Sequence, residues 1–308
     1  MRKHQLYKVL FFLLIIVLID RSLGLMVSKL ALKYKFDRRI ELLINNQIDK
    51  DILVLGSSKA LNGIDPQIIE NKTGKSCYNL SYSGSNIEFH ETILDLIILS
   101  KNHPSTLIYC IDDPGSLIKF DGIVVYRKEE LYPFVYNNEI NNIVSQKLDK
   151  SILASKISSV YHQNVNLVTA IKYLLRGKEV PDYEINNVDN YGANIMIGHQ
   201  AKHENMKFVN RKFVYDTKYE NDEYRNAFTR ILAKCKGNNI NVKLIITPSF
   251  VSSTIGFRDR ISELSKDTLL VYDYSNQFTN NELFYNYEHL NKNGATKFTS
   301  LIADELNL

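Results

Sequence analysis

Two short stretches far apart in this sequence carry residue types that can perform nucleophilic chemistry. Gly56-Ser57-Ser58 follows the apolar run Ile52 to Leu55, and His289 lies just before a helix-compatible C-terminal segment. A serine hydroxyl becomes a good nucleophile when a histidine accepts its proton, and backbone N–H groups of a tight turn can hold an oxyanion. The turn therefore offers a candidate nucleophile at the end of a strand, whereas the alternative interpretation is that Ser58 and His289 only cap helices.

The elements that must position these residues form an alternating pattern of strands and helices. Apolar runs predict five strands: Ile52 to Leu55, Ser76 to Leu80, Thr106 to Ile111, Val242 to Thr247 and Leu269 to Tyr272. Helices are predicted between and after them: Pro66 to Lys72, Ile87 to Ser100, Asp222 to Lys236, Arg258 to Lys266 and Asn293 to Leu306. This order predicts an α/β fold with a doubly wound, flavodoxin-like parallel sheet of about five strands. Ser58 would then lie beyond the carboxyl ends of the strands, where such sheets bind ligands.

A long polar segment interrupts this pattern between the third and fourth strands. Gly115 to Glu220 is rich in Asn, Tyr, Lys and Asp, with helical patches near Ile140 to Leu153 and Leu167 to Leu175. We interpret it as an insertion over the carboxyl edge of the sheet, where α/β proteins carry their substrate-shaping loops.

The N-terminal segment is apolar enough to be a membrane helix. Leu6 to Val27 is just long enough to span a bilayer, and Asp20 and Arg21 would lie near the far interface, paired or snorkelling. Basic residues precede the run, so the N-terminus is expected to stay inside and the remaining chain to be extracytoplasmic. The alternative is a signal peptide cleaved near Ser22-Leu23-Gly24.

The predicted organisation is therefore a membrane anchor at 1–28, a charged linker at 29–50, and an α/β domain at 51–308 that carries the insertion 115–220. The net charge of +4 comes with a basic excess near the N-terminus, which favours membrane topology over a nucleic-acid partner. Three cysteines without metal-like spacing predict neither a disulfide framework nor a zinc site. We predict no metal and no cofactor.

The two chemical stretches together resemble the SGNH/GDSL hydrolase superfamily. In that family a Gly-x-Ser turn follows the first strand and an Asp-x-x-His-Leu-Asn-x-x-Gly loop precedes the last helix; this sequence has GSS at 56–58 and NYEHLNKNGA at 286–295. The resemblance covers roughly residues 50–308. It implies that Ser58 is the nucleophile and His289 the general base. Asn286 takes the place of the Asp that usually orients the histidine.

The resemblance also implies an oxyanion site. Tyr78 to Gly84 resembles the second family block, so that the Gly84 N–H would hold the oxyanion together with Ser58. Asp112 takes the place of the Asn that usually donates from the third block, and a carboxyl group can donate only when it is protonated. The alternative for Asp112 is that it accepts backbone N–H bonds within its own loop.

The whole chain also resembles membrane-anchored SGNH-like proteins that are found with bacterial surface-polysaccharide genes, and two functions follow from these resemblances. The first is an esterase or acyl (acetyl) transferase that acts on ester groups of a cell-surface glycan, with proteins of polysaccharide modification as possible partners. The second is a catalytically degenerate glycan-binding or assembly subunit with the same fold, an alternative that Asn286 and Asp112 favour. The sequence leaves both open.

Overall fold

The computed structural model describes most of the chain and divides it into two compact units. The described residues are 3–33, 37–120, 124–147, 151–163, 188–200, 205–210, 213–266 and 269–308, with positions 167, 171 and 175. One unit comprises Met1–Glu41 and Lys128–Asn187, and the other comprises Leu42–Arg127 and Val188–Leu308. The predicted helical patch Leu167 to Leu175 falls mostly outside the described residues.

The first unit is built on one long apolar helix, α1 (Lys3–Lys33). Within it, Lys3–Leu30 contains an 18-residue window with a mean hydropathy of 2.4 and is long and apolar enough to cross a membrane. The other elements of this unit are shorter: two 3₁₀ turns (Lys128–Glu130 and Tyr132–Phe134) and the helices α6 (Asn138–Lys147), α7 (Ser151–Ile157) and α8 (Ser159–His162). A further short helix, α2 (Arg39–Ile44), contains the sequence boundary between the two units.

The second unit contains a five-stranded sheet in which every pairing is parallel. Its strands are β1 (Ile52–Leu55), β2 (Cys77–Asn79), β3 (Thr106–Ile111), β4 (Asn241–Ile246) and β5 (Val271–Asp273), in the spatial order β2-β1-β3-β4-β5. All residues of β1 and β3 are buried, as expected for inner strands of a parallel sheet. The predicted α/β fold with a parallel sheet of five strands is confirmed.

The strand predictions hold to within two residues, and the largest deviation is at β5. We predicted this strand from Leu269, but it begins at Val271, and the Leu270 side chain is 63% exposed. Leu269 and Leu270 instead belong to the turn region that follows α10 (Phe257–Leu264), in which Lys266 has a φ of 58°. An apolar residue type was therefore mistaken for a buried strand position.

The helices of the second unit begin where polar side chains cap them. Asp65 caps α4 (Pro66–Thr73), Asn86 caps α5 (Ile87–Leu99), Asn221 caps α9 (Asp222–Gly237) and Asn291 caps α11 (Lys292–Glu305). Each cap oxygen accepts a backbone N–H of the first turn that has no acceptor within the helix. α3 (Ser58–Gly63) is much shorter and directly follows β1.

One apolar cluster joins β1 to the C-terminal helix. Its members come from the sheet, from α3 and α4, and from α11 and the loop before it; they include Val54, Ile245, Phe284, Phe298 and Ile302. Thr299 of α11 accepts the Asp65 N–H at 3.0 Å, so the last helix is also hydrogen-bonded to the start of α4. This packing brings the loop before α11 to the first strand.

Gly294 lies where α11 packs closely against the loop that precedes it, so a substitution there tests this packing. A Cβ at Gly294 would lie 2.0 Å from the Leu283 carbonyl oxygen, so we expect Gly294→Ala to lower the free energy of unfolding by about 1–3 kcal/mol. Gly237→Ala is the matched control, because nothing lies within 4 Å of its added Cβ. Urea unfolding of both variants in detergent measures the difference. Equal stability of the two would contradict the packing described here.

Candidate active site

Ser58 is the first residue of α3, immediately beyond the carboxyl end of β1. Ser57 is the N-cap, and its hydroxyl oxygen accepts the Lys59 N–H at 3.4 Å. A Cβ at Gly56 would lie 2.8 Å from the Ala60 Cβ and 2.9 Å from the Cys110 Cβ. Only glycine therefore permits so sharp a turn from β1 into α3, and this turn places Ser58 at the strand end.

The structure brings the three predicted catalytic residues together. The Ser58 Oγ lies 2.8 Å from His289 Nε2, and His289 Nδ1 lies 3.0 Å from Asn286 Oδ1. Ser58 and His289 are separated by 231 positions in the sequence, so tertiary packing alone creates this contact. The arrangement has the order of nucleophile, base and orienting residue that nucleophilic catalysis requires.

The hydrogen bonds of Asn286 determine which nitrogen of His289 carries the proton. Asn286 Oδ1 accepts the backbone N–H groups of Glu288 and His289, each at 3.0 Å, so this atom must be the amide oxygen. As an acceptor, it requires a proton on His289 Nδ1, which leaves Nε2 free to accept the Ser58 hydroxyl proton. The neutral amide thus selects the tautomer that a carboxylate would select.

Burial keeps His289 neutral. Desolvation, with a further contribution from the Lys59 charge, lowers the pKa of His289 to about 4, while Glu288 acts in the opposite direction. At neutral pH the imidazole is therefore free to take a proton. The low basicity of His289 weakens it as a general base. A carboxylate at position 286 would raise the pKa of His289 and so increase its basicity.

Asp112 contacts Ser57 rather than Ser58. The Ser57 hydroxyl donates to Asp112 Oδ2, while Oδ1 has no hydrogen-bond partner among the described residues. Neither oxygen of the Asp112 side chain accepts a backbone N–H among the described residues, which contradicts the alternative that it binds N–H groups of its own loop. The neighbouring Asp113 accepts the Thr254 N–H at 2.7 Å, from the segment after β4. Burial raises the pKa of Asp112 against the opposing effects of Lys59 and the Ser57 hydroxyl.

Gly84 lies in a loop that is hydrogen-bonded to the end of β1, close to the turn that carries Ser58. Val54 and Gly56 of β1 and its turn accept the N–H groups of Leu80 and Tyr82, at 2.8 and 3.1 Å. Gly84 has a φ of 66°, its carbonyl accepts the Val125 N–H, and within the described part of the chain its own N–H has no acceptor. The Ser58 N–H also has no acceptor within its helix, because Ser58 lies in the first turn of α3.

A partly exposed ion pair beside the candidate catalytic residues was not predicted. Lys59 Nζ lies 2.9 Å from Glu288 Oε2; the Lys59 side chain is 11% exposed and that of Glu288 is 56% exposed. Burial alone would lower the pKa of Lys59, but Glu288, Asp112 and Asp113 raise it. Lys59 follows the nucleophile and Glu288 precedes the base, so the ion pair runs alongside the Ser58–His289 hydrogen bond. Their adjacency to the two motifs was the signal available in the sequence.

A second serine–histidine pair lies in the interior and was also not predicted. Ser85 Oγ lies 2.8 Å from His90 Nε2 and donates its proton to the Tyr82 carbonyl at 2.7 Å. Burial lowers the pKa of His90 to about 3. Because the Ser85 proton is already engaged by a carbonyl, this pair joins a loop to α5 and has no nucleophile to activate.

Part of the polar insertion borders the catalytic loops. Asn79 and Asn194 form backbone bonds that attach this segment to β2 and α3: the Asn79 N–H donates to the Tyr191 carbonyl at 2.9 Å, and the Asn194 N–H donates to the Leu61 carbonyl at 3.0 Å. Asn286 Nδ2 donates a long hydrogen bond of 3.5 Å to Gln200 Oε1. Residues 188–200 therefore lie against the loops that carry the site.

The described residues contain no group of three or more His, Cys, Asp or Glu side chains placed to hold a metal ion. All three cysteines are buried, with free thiols. No protein-family model matches this chain, and no curated protein matches it either.

The opposite charges of Lys59 and Glu288 allow a test of whether they act on His289. Lys59→Met removes a positive charge and should raise the pKa of His289, whereas Glu288→Gln removes a negative charge and should lower it. The measurement is the pH dependence of serine labelling by a fluorophosphonate across the acid range, where the rate rises as His289 loses its proton.

Both substitutions break the same ion pair, so a merely structural role would move the two profiles alike. Lys72→Met is the control, because Lys72 pairs with Asp304 at 2.5 Å and not with the catalytic loops. Shifts of the same sign in the first two variants would contradict the electrostatic account.

Proposed function

We propose that this protein is a serine esterase or O-acyltransferase of the SGNH type. The observation that carries the proposal is the continuous hydrogen-bond path from Ser58 Oγ through the His289 ring to Asn286 Oδ1, with bonds of 2.8 and 3.0 Å. The resemblance of the two motifs to that superfamily supports the same assignment, as does the strand order 2-1-3-4-5, which belongs to doubly wound, flavodoxin-like sheets.

The proposed reaction has two steps, acylation of Ser58 and transfer of the acyl group from Ser58, and each passes through a tetrahedral intermediate. Ser58 Oγ attacks the acyl carbonyl carbon while its proton passes to His289 Nε2, and the N–H groups of Ser58 and Gly84 stabilise the oxyanion. The C–O bond to the alcohol then breaks, and His289 returns the proton to that oxygen. Water or a sugar hydroxyl then attacks the acyl-serine and gives its proton to His289. The bond between the acyl carbon and Ser58 Oγ breaks, His289 returns the proton to Oγ, and the carboxylic acid or the new sugar ester leaves.

Asp112 can stabilise the oxyanion only when its carboxyl group is protonated. Its Oδ1 has no partner among the described residues, and burial raises its pKa. Lys59 and the Ser57 hydroxyl oppose that rise in pKa, and only the protonated carboxyl group can donate to an oxyanion as the usual amide does. We keep the protonated Asp112 as a third oxyanion donor.

The proposed substrate is an acylated cell-surface glycan. This follows from the likeness of the chain to membrane-anchored SGNH-like proteins associated with bacterial surface polysaccharides. The apolar helix α1 supports anchoring, and the basic residues before it favour an extracytoplasmic domain. Proteins of polysaccharide modification are the proposed partners.

The second candidate function is a non-catalytic glycan-binding or assembly subunit. The neutral Asn286 and the carboxyl group of Asp112, each in place of the usual family residue, favour it. The two functions differ in one measurable property, which is the reactivity of Ser58.

An active-site-directed fluorophosphonate tests that property directly. We expect wild-type protein to be labelled, Ser58→Ala to be unlabelled, and His289→Ala to be slower by about 10²–10⁴-fold, because general-base catalysis is lost. Ser57→Ala is the control, since Ser57 donates to Asp112 and has no contact with His289. Labelling that is absent from wild type, or that persists in Ser58→Ala, would support the binding-subunit function instead.

Position 286 tests the weakest part of the catalytic set. Asn286→Asp keeps an oxygen toward His289 Nδ1 and supplies the charge that stabilises the imidazolium. We expect turnover of a small acetyl ester to rise tenfold or more, equivalent to about 1.4 kcal/mol of the barrier. Asp112→Asn is the parallel variant at the oxyanion position, because an amide keeps an acceptor for Ser57 and gains a donor.

A rise in either variant requires the wild-type site to be built for catalysis. If both variants show only the background rate of Ser58→Ala, the site has lost its activity by more than these two substitutions. That result would contradict the enzyme proposal for such esters.

A further inference from the structure

The membrane-spanning character of α1 is interrupted by two charged residues. Leu6 to Ile19 contains 14 residues, which cover about 21 Å of helix. The hydrocarbon core of a bilayer is about 30 Å thick. If α1 spans a bilayer from Leu6, then Asp20 and Arg21 lie within its far leaflet, where charged side chains require partners.

The structure supplies those partners from another part of the same unit. Asp20 Oδ1 accepts the Ser158 hydroxyl at 2.6 Å and the Val160 N–H at 3.2 Å, and its Oδ2 accepts the Ser159 N–H at 2.7 Å. Arg21 donates to the Ser159 hydroxyl at 2.6 Å and to a neighbouring carbonyl, that of residue 157, at 3.1 Å. Both charges are satisfied by the start of α8.

The backbones approach closely at this point. A Cβ at Gly24, one turn beyond Asp20, would lie 2.4 Å from the Ser159 Cβ. Small residues allow such close contact between helices in membranes. The segment 151–163, which contains α7 and α8 and is here called the elbow, is therefore seated on α1 at the level of its charged pair.

The elbow is amphipathic in a way that fits the edge of a membrane. Leu153 and Ile157 are each 63% exposed, whereas Ser155 between them is 1% exposed. On the protein side, the Tyr161 ring lies 5.3 Å from that of Tyr132. Two large apolar side chains thus face outward from an element that is fixed on its other side.

We propose that the elbow is a second membrane-contacting element, inserted into the leaflet beside α1 so that Leu153 and Ile157 contact lipid. The proposal rests on α1 spanning a membrane. Lipid is the occupant because the elbow is hydrogen-bonded to α1 at Asp20 and Arg21, which lie within the far leaflet if α1 spans the bilayer. An elbow whose hydroxyl, N–H and carbonyl groups bind the two helix charges can lie at this depth, as irregular segments do where protein partners satisfy them.

Depth measurements on the full-length protein in lipid nanodiscs test the proposal. Spin labels would be attached at Leu153→Cys and Ile157→Cys, and their collisions with oxygen, which partitions into lipid, and with a water-soluble nickel chelate would be compared. The native cysteines are buried and free. Leu10→Cys in α1 is the lipid control, and Glu139→Cys, an exposed position of α6, is the water control.

We expect the two elbow labels to resemble the lipid control. Elbow labels that behave like the water control, with Leu10 in lipid, would overturn the proposal and leave anchoring intact. Labels shielded from both reagents would show that protein covers the elbow, which also overturns it. A Leu10 label in water would instead contradict the anchoring on which the proposal rests.

The docking contacts provide a second test. Asp20→Ala removes the acceptor for three donors of the elbow, so the labels at 153 and 157 should move at least partly toward water. Ser22→Ala, close by on α1, is the matched control and should leave them in place. Identical label environments in both variants would show that Asp20 does not hold the elbow in the leaflet. Fluorophosphonate labelling of Ser58 in the same samples reports the catalytic proposal separately.

Discussion

The close approach of β1 to β3 and to the first turn of α3 is the constraint on which the site depends. At Gly56 there is no room for a side chain, so the strand must turn at once into α3 and present Ser58 at its end. The same strand end accepts backbone N–H groups from the loop after β2, which carries Gly84. Parallel pairing of β1 with β3 places Asp112 at the same edge, because carboxyl ends of parallel strands lie together.

His289 lies at this edge because of the hydrogen-bonded loop before α11. Asn291 caps α11 and also donates to the Glu282 carbonyl at 2.8 Å, so the loop is closed upon itself. Within it, Asn286 binds two backbone N–H groups and the ring of His289 with one oxygen. The orienting residue is therefore also the residue that shapes the loop, and its side chain serves both purposes without a charge.

The electrostatic environment gives a physical reason why a neutral residue fits at position 286. Among the described residues, Lys59 is the cation that shifts the pKa of Asp112 and of His289, and it already interacts with Glu288, Asp112 and Asp113. Another buried carboxylate would add negative charge to a region where burial already raises the pKa of Asp112 and Asp113. An amide avoids that cost, and the consequence is a histidine of low basicity.

The sequence by itself determined the strands, most helix starts and the three residues of the hydrogen-bond path, Ser58, His289 and Asn286. Buried parallel strands are apolar runs, Asp and Asn caps mark helix starts locally, and the spacing of Asn286 and His289 lies within one loop. Only the tertiary structure decided that Ser57 binds Asp112, that Lys59 pairs with Glu288, and that Asp20 holds the start of α8. These contacts join side chains that are 55, 229 and 138 or more positions apart. Which side chains meet depends on tertiary packing, and no local sequence pattern encodes that packing.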